Sequence, residues 1–162
     1  MTDFVTRVCG WFVAAQQQPK DPTPSAQQAA FYTGMQLEEL AEKLEVILGA
    51  SHPLVTSMHS AGHSFKDGKM DSAMANAMVN SSTCESMLDA DIDLLWVSIG
   101  AARAQGADVI GACNEVARAN WDKAVDGIFQ LSDTKRVLKR PGWTPPDLQP
   151  FMHVFLRKAG RK

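Results

Sequence analysis

Leu88-Asp89-Ala90-Asp91-Ile92-Asp93-Leu94-Leu95-Trp96-Val97-Ser98-Ile99 is the stretch that decides how this chain is read. Its apolar residues go round every side of a helix, so the whole stretch is expected to be buried. An ionised carboxylate in such surroundings is costly unless it is paired or bound to a metal. Residues three or four apart share a helix face, so Asp89 and Asp93 point the same way. A second acidic stretch, Glu38-Glu39-Leu40-Ala41-Glu42, sets Glu39 and Glu42 on one face in the same manner. If the two helices pack together, these carboxylates converge. Hard oxygen ligands of this kind suit Mg²⁺ or Mn²⁺, and those ions suit phosphate chemistry. Plainer readings stand beside this one. Three glutamates within five residues also make an ordinary solvated helix face. Asp91 can turn outward, and Arg103 or Lys123 can pair with Asp93 in place of a metal.

Outward from these stretches the chain reads as helices joined by short breaks. Thr2 to Gln17 forms a first helix, with Phe4, Val5, Val8, Trp11, Phe12 and Ala15 on one side. Prolines 19, 22 and 24 stop it and make a rigid connector, so residues 1–24 are an N-terminal helix plus a Pro-rich link. Ser25 caps a long second helix that reaches Leu48 and ends at Gly49. Phe31, Leu37, Leu40, Ala41, Leu44 and Ile47 or Leu48 supply its apolar face. Residues 51–81 form an insertion, in which Pro53 begins one short helix and Asp71 to Val79 forms another. Ser82 or Thr83 caps the aspartate helix, which runs to about Ala104. A further helix covers Asp108 to about Lys123. Beyond it, in the tail 124–162, periodicity is lost and Arg140-Pro141-Gly142-Trp143-Thr144-Pro145-Pro146-Asp147 is extended. No run of alternating β-branched residues occurs. The fold class is all-α, a helical bundle in one domain over 1–162.

Composition narrows the function. The chain has 162 residues, 45% of them hydrophobic, enough for one core. With a net charge of −2 and no basic block, it lacks the broad positive field of a nucleic-acid binder, though a small anionic ligand is still compatible. Cys9, Cys84 and Cys113 lack metal-ligand spacing and read as reduced thiols. No stretch approaches ~18 uninterrupted apolar residues, and no signal pattern opens the chain, so a cytoplasmic protein without a membrane span is expected. His59 and His63 stand four apart, but Gly62 lies between them and no third ligand is close. An exposed polar insertion is the expectation there, over a zinc site. Met58, Met70, Met74 and Met78 fill gaps in a core or an interface.

Four blocks in order resemble the MazG-like all-α nucleoside triphosphate pyrophosphohydrolases, above all the phage-encoded group related to phosphoribosyl-ATP pyrophosphohydrolase. Met35-Gln36-Leu37-Glu38-Glu39-Leu40-Ala41-Glu42 is similar to the family's glutamate helix. Asp89 through Gly100 is similar to its aspartate helix, and Glu115-Val116-Ala117-Arg118-Ala119-Asn120-Trp121-Asp122-Lys123 to the helix that follows. Val137-Leu138-Lys139-Arg140-Pro141-Gly142-Trp143-Thr144-Pro145-Pro146-Asp147 resembles its tail. The chain departs from the pattern on the first helix, where Trp11-Phe12 replaces an aromatic-histidine pair. It departs again before the aspartates, where Ser86 stands in the glutamate position, and the gap from Glu42 to Asp89 is longer than usual.

The resemblance implies hydrolysis of a nucleoside triphosphate, a purine such as dGTP among the candidates, to the monophosphate and pyrophosphate. It assigns Glu39, Glu42 and Asp93 as ligands of Mg²⁺ or Mn²⁺, with Asp89 a fourth, and roughly two or three ions per site. Glu38 is then a ligand or the residue that polarises water. Asn120 and Lys123 bind the nucleotide, Lys139 approaches its phosphates, and Arg118 adds positive charge. Trp143 either stacks on a base or anchors the tail. Family members are homo-oligomers, dimers or dimers of dimers, in the host cytoplasm when phage-encoded. Two other classes compete: a catalytically silent nucleotide-binding sensor, and a helical interaction protein whose acidic groups are merely solvated.

Overall fold

The computed structural model describes residues 3–20, 23–133 and 136–152. Among them are six α-helices, no strands and only isolated β-bridges, so the protein is all-α. None of these helices is long and apolar enough to cross a membrane. The chain divides into two compact units: Pro24–Ile92, and Met1–Thr23 together with Asp93–Lys162.

In the central unit, α2 (Ala26–Leu48) begins where the Ser25 side chain accepts from the Gln28 N–H and ends at Gly49, whose φ of 88° suits glycine. α3 (Pro53–Lys66) starts with proline in its first turn, where the missing N–H has no intrahelical role. It runs antiparallel to α2, and α4 (Asp71–Met78) packs on the same helix. The helices meet through small residues. Ala30, Gly34 and Ala41 are the buried positions of α2, and Val55 and Gly62 those of α3. A Cβ on Gly34 would lie 2.7 Å from the Gly62 carbonyl oxygen, and one on Gly62 would lie 2.9 Å from the Gly34 oxygen. The backbones therefore touch here, and Leu40, Ile47 and Leu48, expected on the buried face, stay exposed.

In the terminal unit, α1 (Phe4–Ala14) is capped by Asp3, which accepts from the Thr6 N–H at 2.8 Å. It stops three residues before the expected Gln17, and Thr2 lies outside the described residues, as do Asp21 and Pro22 of the connector. α6 (Val109–Trp121) is capped by Asp108. Trp11, Trp121 and Phe129 make edge-on and tilted ring contacts, and Ala15, Ala117, Ala119 and Phe129 are buried around them. The tail folds back along α6. Trp143 bonds to Ala119, the Asp147 N–H to Glu115, and Phe151 closes a 3-10 turn (Gln149–Phe151) over Gly111, where any Cβ would run into the Phe151 ring. Residues 134–135 and 153–162 of the expected tail lie outside the described residues.

α5 (Ser81–Ala104) passes from one unit to the other. Its cap is Asn80 rather than Ser82 or Thr83, since Asn80 Oδ1 accepts from both of their N–H groups. The expected burial of its middle does not occur within the chain. Leu88 is 63% exposed, Ile92 56% and Trp96 77%, because α5 belongs to none of the extensively packed helix pairs.

Candidate functional site

On α2 the acidic residues fall into two kinds. Glu38 is half-buried beside the glycine crossing, and the close approach of α3 brings a lysine and a histidine to it. Lys66 Nζ donates to Glu38 Oε1, and His63 Nε2 stands 3.3 Å from the same oxygen. Glu45 faces His59 at 3.7 Å. The two histidines thus serve α2 carboxylates across the crossing. Glu39 and Glu42, by contrast, have no ion-pair partner among the described residues. Burial, then the neighbouring Glu42 and Glu38 charges, push the Glu39 carboxyl above its ordinary pKa.

The aspartates of α5 are exposed. Asp91 accepts from Gln36 Nε2 at 3.0 Å, which ties α5 to α2 inside the central unit. Among the described residues Asp89 has no ion-pair partner, and neither Arg103 nor Lys123 pairs with Asp93, which falls in the terminal unit. Among the described residues no three His, Cys, Asp or Glu side chains are gathered so as to hold a metal ion. Glu39 with Glu42 fits a divalent cation in donor chemistry and in unrelieved charge. The structure does not bring the expected four carboxylates into one group.

The C-terminal end of α6 is where the expected nucleotide-binding residues do meet. A helix end leaves carbonyls without intrahelical partners and carries a partial negative charge. Here indole and guanidinium donors take them up. Trp143 Nε1 donates to the Ala119 oxygen at 2.7 Å, Trp11 Nε1 to the Asn120 oxygen at 3.0 Å, and Arg140 Nε to the Asp122 oxygen at 2.7 Å. Arg140 also grips the Asp122 carboxylate at 2.7 Å. Trp143 is thereby the anchor of the tail. Its ring carries two ammonium groups, Lys139 Nζ at 4.5 Å from the centroid and Lys123 Nζ at 5.6 Å.

Lys123 is half-buried and donates to Asn120 Oδ1 at 2.7 Å, while the Asn120 amide nitrogen donates to the Val116 oxygen. Burial and then the Lys139 charge hold the Lys123 amine below its ordinary pKa. Neither lysine has a carboxylate partner among the described residues. The Trp143 indole thus carries two cations with no carboxylate partner among the described residues.

Arg118 does not join them. Its guanidinium grips Glu115 at 2.8 and 2.6 Å, and Glu115, which also accepts the Asp147 N–H, is pulled down to about pKa 2 chiefly by Arg118. The sequence reading missed Lys66, His63, Glu115, Arg140 and Trp11 as organisers of these sites. Only the Glu115–Arg118 pair carried a local signal, its three-residue spacing on a helix. No family model, curated protein or solved structure matches the chain.

Proposed function

We propose that this protein is a divalent-metal-dependent nucleoside triphosphate pyrophosphohydrolase that releases the monophosphate and pyrophosphate. The observation that carries the reading is the Lys123–Lys139 pair on Trp143, two cations without a carboxylate partner among the described residues, at a position where the resemblance expects phosphates. Lys123, held by Asn120, and the exposed Lys139 neutralise non-bridging oxygens of the triphosphate. Glu39 and Glu42 are the residues that would hold Mg²⁺ or Mn²⁺, and the resemblance adds Asp89 and Asp93 to them. When bound, the ions supply charge neutralisation and an activated water for in-line attack. Glu38, paired with Lys66 and faced by His63, is better suited to fixing the α2–α3 geometry than to direct ligation.

The exposed apolar residues of α5 support assembly as a homodimer or a dimer of dimers, which would cover Leu88, Ile92, Leu95 and Trp96. A purine such as dGTP is the proposed substrate class. The locked Glu38 and the ungathered carboxylates favour a second reading, a nucleotide-binding sensor without turnover. A panel of eight ribo- and deoxyribonucleoside triphosphates with Mg²⁺ or Mn²⁺ separates the two. Pyrophosphate release supports the hydrolase. Orthophosphate alone overturns the reaction, and nucleotide binding without product leaves the sensor.

A further inference from the structure

We propose that Lys123 is a site of covalent acylation by small acyl phosphates, with Lys139 as the docking charge for the phosphate. Four features of the α6 end point there. The amine is half-buried against the Trp143 indole rather than solvated on all sides. Asn120, its own orientation fixed by the bond to Val116, accepts one Lys123 N–H at 2.7 Å and so holds the nitrogen in place. No carboxylate of the described residues pins the amine in its charged form. Lys139, exposed and on the same ring, offers a second positive charge that a dianionic phosphate would seek. Desolvation and a cationic neighbour are the general conditions under which a lysine becomes a nucleophile.

The step balances without a further reactant. The Lys123 nitrogen, as the neutral amine, attacks the carbonyl carbon and a C–N bond forms. The C–O bond to phosphorus-bearing oxygen breaks, its electron pair leaves with the phosphate, and the amine proton goes to that phosphate. The product is a neutral amide and inorganic phosphate. One of the two charges on Trp143 is then gone, so acylation weakens anion binding at this end of α6.

Other lysines of the same molecule serve as controls. Lys43 is exposed, and Lys66 and Lys69 are paired with Glu38 and Asp67. The intact protein is incubated at neutral pH with acetyl phosphate and a metal chelator, and acetylation at each lysine is followed by quantitative peptide mapping. Lys123 is expected to react several-fold faster than Lys43, because burial and the Lys139 charge hold its amine below the ordinary range. In Lys139→Gln the Lys123 rate should fall several-fold with acetyl phosphate and clearly less with an uncharged acetyl ester. Equal rates at Lys123 and Lys43 in the unmodified protein overturn the proposal, and so does an equal fall for both reagents in Lys139→Gln. The first readout needs no variant, so a poorly folded Lys139→Gln cannot shelter the idea. Labelling is measured without metal or turnover, so its failure is separate from failure of the hydrolase reading.

Discussion

Glu38 on α2 and Lys123 at the end of α6 are both half-buried charges, and the protein treats them in opposite ways. Glu38 sits where two helix backbones touch, and that contact delivers Lys66 and His63 to it. Lys123 sits where a helix end meets a tail, and its neighbours are an amide, an indole and another lysine. A charge answered inside the fold contributes to holding two helices together. A charge left unanswered is available to something outside the fold. Glu39 and Glu42 belong with Lys123 in this respect, although they lie within about one turn of Glu38.

The sharpest way to break the central half of this comparison is to force α2 and α3 apart. Gly34→Ala should destabilise the protein by about 1–3 kcal/mol, since the new Cβ meets backbone and neither chain can yield cheaply. The gain in helix propensity, about 1 kcal/mol, works against this loss and makes the sign informative. Gly100, with nothing within 4 Å of a Cβ, is the control: Gly100→Ala should stabilise by up to about 1 kcal/mol. Chemical denaturation measures both. A stabilised Gly34→Ala would remove the close crossing, and with it the reason Lys66 reaches Glu38.

Next in size is the pair itself. Lys66→Met leaves the Glu38 carboxylate with His63 alone, and the loss should be about 1–2 kcal/mol after allowing for its partial exposure. The double variant Lys66→Met/Glu38→Gln should recover most of it, because no uncompensated charge is left. An additive double-mutant cycle would show that the two side chains act independently.

These contacts also mark where the sequence stops being informative. The all-α class, Ser25 and Gly49 at the ends of α2, Pro53 at the start of α3 and Asp108 at the start of α6 follow from local rules of capping and proline or glycine punctuation. The buried stripe of α2 does not. Ala30, Gly34 and Ala41 are inside because Gly62, distant in sequence, allows backbone contact there, and a periodicity argument naturally prefers leucines. For α5, apolar residues on every side suggest a covered helix, but among the described residues its middle stays exposed and no helix packs extensively on it. Of the expected nucleotide site, Asn120, Lys123, Lys139 and Trp143 are together. Arg118 is absent because a carboxylate three residues away on its own helix holds it.

Glu39 sharpens the comparison from the unanswered side. Its folded pKa is raised, so the native state binds the proton more readily than the unfolded chain does. Stability therefore falls as pH rises from the ordinary carboxylate range through the raised folded value, and the penalty is complete above it. At neutral pH without metal, Glu39→Gln should raise Tm slightly. With Mn²⁺ the order should reverse in its increments, the unmodified protein gaining more than the variant, because a ligand of the native state stabilises by mass action. Equal Mn²⁺ increments would remove Glu39 from the metal set.

The smallest expected effect concerns Glu115, an answered charge like Glu38 but held by a neighbour on its own helix and by the tail. Arg118 and then the Asp147 N–H hold its pKa down from the ordinary 4.5 to about 2. A depressed carboxylate contributes stability that is fully present above the unfolded value and is lost as pH falls through the folded one. The protein should therefore melt slightly above Glu115→Gln at neutral pH, and the gap should close between about pH 4.5 and pH 2. The effect is small because the pair lies at the surface, where water and salt screen it. Its salt dependence adds a second check, since raising ionic strength at neutral pH should narrow the same gap. A gap that persists unchanged at pH 2 would mean that Glu115 fastens the tail through shape rather than charge. The tail contact at Asp147 would then have to be carried by Phe151 over Gly111, which Phe151→Ala would expose by lowering Tm more than Glu115→Gln does.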